Sequence, residues 1–324
     1  MNIFAFIKNH NLIPSSNYED YLAEKGYQDI FQLIKSNPTA KKELLQFINS
    51  HDPIRKRMFR LVYENTFLPL DCLAWIEGNN QHIYTNKNLH IVDNQPISNE
   101  LIHHVETIIK WIASIADKSP DIEVWIFLCP HKKELPNSRK PLGRNEVNSG
   151  VSYIGKWVQV FRREEVLKVL IHELLHYYDL DIKDETSLDK MLKLNDKPLL
   201  INEAYNEVYA IAAHTFYYAK TRGEDLNAYW QKEVEHSWIM FYKIIDYYGI
   251  TKWSDFTTPK FVQHSNVFSY YILKYLLMGN LYILMSPLKE KVDYIRNILS
   301  NNYKIKQYND YSFDKSLRMS CLEL

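Results

Sequence analysis

With 324 residues and 39 basic against 39 acidic side chains, the chain carries no formal net charge. That balance excludes a general attraction for nucleic acid or an anionic membrane surface, while the length suffices for a large core and more than one subdomain. Three widely spaced cysteines, Cys72, Cys129 and Cys321, odd in number and without CxxC spacing, do not suggest a disulfide framework and favour a reducing, intracellular compartment.

Residues 1–97 read as an accessory region. The apolar start is short, lacks a basic residue and is cut by Lys8, so no secretory signal is expected. Helical periodicity with polar breaks runs over 18–34, 40–48 and 53–64. Residues 71–91 alternate around Glu77-Gly78-Asn79-Asn80, the signature of a hairpin. Ser98 then caps a helix reaching residue 117, with Leu101, Val105, Ile108, Ile109, Ile112 and Ile115 apolar. His103 and His104 on this helix are direct neighbours, which suits packing or solvent better than a shared ion.

Residues 98–180 are expected to hold the sheet and a motif helix, and 181–324 a helical subdomain. A continuous apolar run at 122–128 is the pattern of a strand buried on both faces. The long loop after it is a length that tends to be functional. Its stretch 130–144 carries Lys132, Lys133, Arg139, Lys140 and Arg144 against Glu134 alone. At a cleft mouth such charge would favour acidic peptides or a free C-terminal carboxylate; a solvated basic loop is the plainer alternative. Residues 151–161 then read as a hairpin turning at Gly155. The chain runs on into a helix over 164–178, with Glu164 and Glu165 in its first turn, where carboxylates suit the dipole.

That helix contains His172-Glu173-Leu174-Leu175-His176, an HExxH. Residues four apart on a helix lie about 40° apart around its axis, so both imidazoles can reach one divalent ion, with Glu173 placed as a general base. The helix is apolar nearly all round, and bare histidines in such surroundings are costly. A catalytic zinc needs a third protein ligand and an open position. Glu203, on the helix predicted over 201–220, is the leading candidate. Asp179 follows, poorly placed because it shares the motif helix, and His214 is third, some three turns beyond Glu203. Further helices are expected over 225–248 and 260–285. The charge-rich stretch 181–197 reads as a solvated connection, and the apolar run 270–288, interrupted by Lys274, Gly279, Asn280 and Pro287, reads as buried rather than membrane-spanning.

The pair His172-Glu173-x-x-His176 and Asn202-Glu203-x-x-x-Glu207 resembles the thermolysin-like gluzincin clan of zinc metallopeptidases. The resemblance covers the two motif helices and implies an α+β, zincin-like catalytic core with one zinc held by His172, His176 and Glu203. It also implies that Glu207 braces His172; the i, i+4 spacing of Glu203 and Glu207 agrees, since a ligating histidine usually donates its other N–H to a carboxylate. In such folds an edge strand binds the substrate backbone, which would place Asn148, Ser149, Gly150 and Val151 along the cleft. The clan's downstream histidine segment has no evident counterpart. The oxyanion donor is therefore sought among His236, His264, Tyr270 and Tyr271. The run from Asn148-Ser149-Gly150 to His172 is more loosely similar to metallopeptidase-like proteins of large DNA viruses, which implies a viral protein and admits a virion location. The expected activity is zinc-dependent hydrolysis of a peptide or protein substrate, with Glu173 as the base and neither nucleic acid nor membrane as partner. The alternatives are an inert zincin-fold binding or virion structural protein, and a helical scaffold in which the HExxH is accidental.

Overall fold

The apolar run at 122–128 becomes β3 (Glu123–Phe127), the middle strand of a five-stranded sheet whose order is β1 (His82–Asn86), β2 (Leu89–Asp93), β3, β5 (Trp157–Val160) and β4 (Gly150–Tyr153). Successive side chains of a strand point to opposite faces, so the two sides of β3 serve different layers. Val124 and Ile126 meet α5 (Asn99–Ile115) and α7 (Val166–Tyr177). Trp125 and Phe127 meet the N-terminal helices α2 (Pro38–Asn49), α3 (Pro53–Glu64) and α4 (Leu70–Ile76). All four side chains are fully buried, each contributing about 1.5–3 kcal/mol. Burial on both faces is why this strand reads as a continuous run rather than an alternation.

The computed structural model describes residues 3–13, 32–78, 81–181, 193–194, 197–300, 304–306 and 314–323, and the fold is mixed α+β. Most of the helix expected over 18–34, residues 79–80 of the expected turn and most of the stretch 181–197 lie outside the described residues. A further helix, α1 (Ile3–Asn9), opens the chain.

The hairpin falls later than the alternation suggested. Residues 70–76 form α4, because Leu73, Cys72 and Ile76 bury one helical face. The strands are β1 (His82–Asn86) and β2 (Leu89–Asp93), antiparallel, with Lys87 in the left-handed region at φ 53° between them. β2 pairs in parallel with β3, so this hairpin from the first 97 residues extends the same sheet that leads to the motif helix. Ser98 caps α5 as expected, accepting from the Leu101 N–H at 3.2 Å. His104 packs, its Nδ1 2.8 Å from the Tyr217 hydroxyl, and His103 is exposed.

A short α6 (Arg144–Val147) interrupts the long loop before β4 (Gly150–Tyr153) and β5 (Trp157–Val160). Gly155, at φ 68°, makes the turn between those strands. β5 is parallel to β3 and antiparallel to β4, which ends the sheet. The C-terminal half begins with α8 (Ile201–Arg222), which packs along α7. One stripe of α8, with Ile201, Ala204, Val208 and Ile211, enters a separate aromatic-rich core. That core also holds α9 (Leu226–Tyr248), capped by Asp225 and ended by Gly249 at φ 67°.

The single helix expected over 260–285 is replaced by three pieces. A π-helical segment (Phe268–Leu273) runs into α10 (Lys274–Met278), then α11 (Leu281–Met285) restarts after Gly279, with the Asn280 side chain capping the Ile283 N–H. α12 (Leu288–Ser300) follows. No described helix is long and apolar enough to cross a membrane.

Candidate metal centre

α7 starts at Val166, two residues later than the periodicity predicts, because Glu165 takes a left-handed φ of 57° before the first turn. Glu164 and Glu165 therefore precede the helix, and both are buried. Glu164 accepts the Lys133 N–H at 2.5 Å, and Glu165 is ion-paired with the Lys133 ammonium. Burial of these groups is tolerable only because they are paired.

Nearly two and nearly three turns along α7, His172 and His176 bring their Nε2 atoms to within 3.1 Å of each other. Glu203 Oε2, from the first turn of α8, lies 3.6 Å from each. Three donors on a triangle of these sides share a centre about 2.0 Å from each, the bond length range of a divalent ion held by imidazole and carboxylate. Among the described residues this trio is the one group of such donors near enough to hold a metal ion. Glu203 and His176 each keep 17 % side-chain exposure, against 7 % for His172, so the centre opens to solvent on their side. Asp179 and His214, the other ligand candidates, are not part of the trio.

Each imidazole has a carboxylate oxygen beside its Nδ1. Glu207 Oε2 lies 3.0 Å from His172 Nδ1. Asp181 Oδ2 lies 3.0 Å from His176 Nδ1, and the Asn206 amide bonds the same aspartate. Asp181 had read as the start of a solvated stretch; the left-handed turn at Asp179 (φ 56°) folds it back under His176. Carboxylates behind both rings fix their orientation and raise their basicity.

The electrostatics match a cation site. Burial alone would lower both histidines, but the neighbouring carboxylates of Glu203 and Glu207 carry His172 up to about 9, and those of Asp181 and Glu203 carry His176 up to about 11. Burial would raise Glu203, yet the two histidines beside it hold it far below the usual carboxylate range. Glu207 is likewise pulled down against burial, by the Lys168 charge and His172. Glu203, Glu207 and Asp181 thus outnumber the two protonated imidazoles by one negative charge, and a divalent cation on the three donors would displace two protons and leave that charge unchanged.

Glu173 is 7 % exposed, and burial raises its proton affinity against the opposing charges of His172 and His176. β4 lies directly on it: a Cβ at Gly150 would stand 2.6 Å from Glu173 Oε1, and the Ser152 side chain hydrogen-bonds Glu173. Ser149 accepts the Phe161 N–H through its carbonyl at 2.9 Å. With the β4–β5 register and the alternation of an antiparallel ladder, Val151 and Tyr153 turn their backbone groups to β5. Gly150 and Ser152 turn theirs to the open edge.

The remaining expectations divide. Asn148 is tied into the surrounding fold: its carbonyl accepts from Arg162 at 3.0 Å and its amide oxygen from the Ser265 hydroxyl at 2.6 Å. Ser149 is buried and Val151 packs toward the N-terminal helices. Of the four oxyanion candidates, Tyr270 reaches the centre, its hydroxyl donating to Glu203 Oε2 at 3.0 Å. Burial, then the charges of Glu203 and Glu173, raise its pKa well above the ordinary value, so it remains a phenol and a donor. It sits on the π-helical segment, a conformation frequent at functional sites. Tyr271 instead bonds the Leu317 carbonyl at 2.7 Å and His236 the Arg318 carbonyl at 2.8 Å. His264 is exposed, and its backbone N–H bonds the Leu142 carbonyl at 2.8 Å.

The basic loop does not concentrate five free charges. Lys133 is fully buried against Glu165, Lys140 pairs with Glu146 at 2.9 Å, and Arg144 bonds the Thr66 carbonyl at 2.6 Å. Buried Arg162 organises that loop by donating to the carbonyls of His131, Asn145 and Asn148.

No family model, curated protein or solved structure matches this chain. The site therefore speaks through its own geometry.

Proposed function

We propose that the protein is a zinc-dependent metallopeptidase of zincin-like construction, in which His172, His176 and Glu203 hold the ion and Glu173 is the general base. The observation that carries this reading is the buried Glu173 set between the three-donor centre and the open edge of β4. Two histidines and one carboxylate suit several first-row metals, iron(II) among them. A carboxylate base beside the centre favours hydrolysis, and a purely structural zinc would prefer four closed ligands and need no base. The same observation weighs against an inert binding protein.

Bound zinc would supply a Lewis acid that polarises the scissile carbonyl and acidifies a water molecule. The chain's own groups do the rest. The free backbone groups of Gly150 and Ser152 bind an extended peptide as an added strand, fixing its carbonyl against the centre. Glu173 takes the proton from the attacking water and returns it to the leaving amine, its raised proton affinity suiting both tasks. The Tyr270 phenol donates to the developing oxyanion.

Glu173→Gln tests the assignment. The variant is expected to fold and bind zinc as the parent does while losing peptide hydrolysis by about 100-fold or more. Hydrolysis at the parent rate would remove Glu173 from the mechanism and with it the case for this chemistry.

A further inference from the structure

A row of alternating buried charges stands on the Nδ1 side of His172. Glu207, 3.0 Å from that nitrogen through Oε2, accepts from Lys168 Nζ through Oε1 at 2.6 Å. Lys168 lies one turn before His172 on α7, and its ammonium is also 3.8 Å from Glu165 Oε1. Glu165 holds Lys133 with one oxygen, while the other accepts the N–H groups of Met319 at 2.8 Å and Ser320 at 2.6 Å. None of Lys133, Glu165, Lys168 and Glu207 is more than 2 % exposed.

The segment carrying Met319 and Ser320 is anchored independently. Tyr271 bonds the Leu317 carbonyl, Lys274 bonds the Met319 carbonyl at 2.8 Å, and the Ser320 hydroxyl bonds Glu233 at 2.6 Å. Tyr271 adjoins Tyr270 in sequence and Lys274 lies four residues beyond it, so the segment that holds Glu165 also holds the piece of chain bearing the proposed oxyanion donor.

We infer that Lys168 is a positioning residue for the metal centre: it holds Glu207 against His172 and is itself held, through Glu165, by the backbone of a segment 154 positions further along the chain. A buried ion row costs desolvation that packed apolar side chains would avoid. Its continuity up to the ring of His172 gives it a task that apolar residues cannot perform, keeping Glu207 charged and aimed. The inference rests on the metal centre proposed above but not on peptide hydrolysis.

The test is a double-mutant cycle on zinc affinity, measured by competition with a chelator in the full chain. Lys168→Met and Glu207→Gln are each expected to weaken zinc binding about 10–100-fold. Because Lys168 acts through Glu207, the double variant should bind no more weakly than Glu207→Gln alone. Parent-like affinity in Lys168→Met, or losses that multiply in the double variant, would overturn the inference. Should Lys168→Met fail to fold, the isosteric Glu165→Gln carries the test. It is expected to weaken zinc binding in the parent background and to leave it unchanged in the Glu207→Gln background, and the opposite pattern overturns it. A parent that binds zinc without cleaving peptides would refute the peptidase reading and leave this cycle readable, whereas a parent that binds no zinc would refute both.

Discussion

A single methyl group at Gly150 tests how closely β4 is set against the base. Its carbon would stand 2.6 Å from Glu173 Oε1, 2.7 Å from Glu173 Cγ and 2.8 Å from Val169 Cγ1. Comfortable contact lies at about 3.5–4.0 Å, so either β4 and α7 separate by about 1 Å or Glu173 leaves its position. Both routes move the base relative to a peptide on the edge strand. Overpacking of this kind costs about 1–3 kcal/mol of stability, and a 1 Å displacement of reacting groups costs about 100-fold in rate. Gly150→Ala is thus expected to lower kcat/KM about 100-fold on quenched-fluorescence peptides. Its thermal midpoint should fall by several degrees. Zinc content should hold, because the atoms nearest the added carbon belong to Glu173 and Val169 rather than to a ligand. Parent-like turnover with an unchanged midpoint would refute the close approach of β4 to Glu173.

Tyr270→Phe removes the hydroxyl that bonds Glu203 Oε2 while leaving all three proposed ligands in place, and is expected to lower kcat about 100-fold with little change in KM; an effect confined to KM would reassign Tyr270 to substrate binding. Stability should also respond to acid through His214, which burial, aided by the Lys168 and Arg318 charges, carries down to about 4. Between the unfolded value of about 6.5 and that folded value, the unfolded chain binds a proton the folded chain lacks, so stability falls as pH drops through this window, by about 3 kcal/mol in all. In chemical denaturation at pH 7.5 and pH 4.5, His214→Gln should lose less stability than the parent. Equal losses would show that His214 does not titrate with folding.

What could be read from the sequence was what local spacing determines. The four-residue interval of His172 and His176 and the matching interval of Glu203 and Glu207 each fix a helical face, and the fold brings those two faces together. The unbroken apolar run of β3 announced a strand covered on both sides. Features set by distant contacts stayed hidden. Lys133 looked like one basic residue among several, because nothing near it in sequence reveals Glu165 as its partner. Asp181 looked solvated because the turn at Asp179 that returns it to His176 leaves no periodic signature. Tyr270 was one tyrosine among 24, distinguished only once the π-helical segment carried it to Glu203. The helix start at Val166 was misplaced for a related reason: acidic residues before a helix suit its dipole, but here Glu165 pairs with the Lys133 and Lys168 charges and Glu164 accepts the Lys133 backbone N–H.

Metal content of the purified chain bears most directly on the central claim. Elemental analysis of the parent is expected to find one zinc per chain, which Glu203→Ala should largely lose and Asp179→Ala should retain. A parent without stoichiometric metal, or equal zinc in the parent and Glu203→Ala, would contradict a metal centre built from His172, His176 and Glu203.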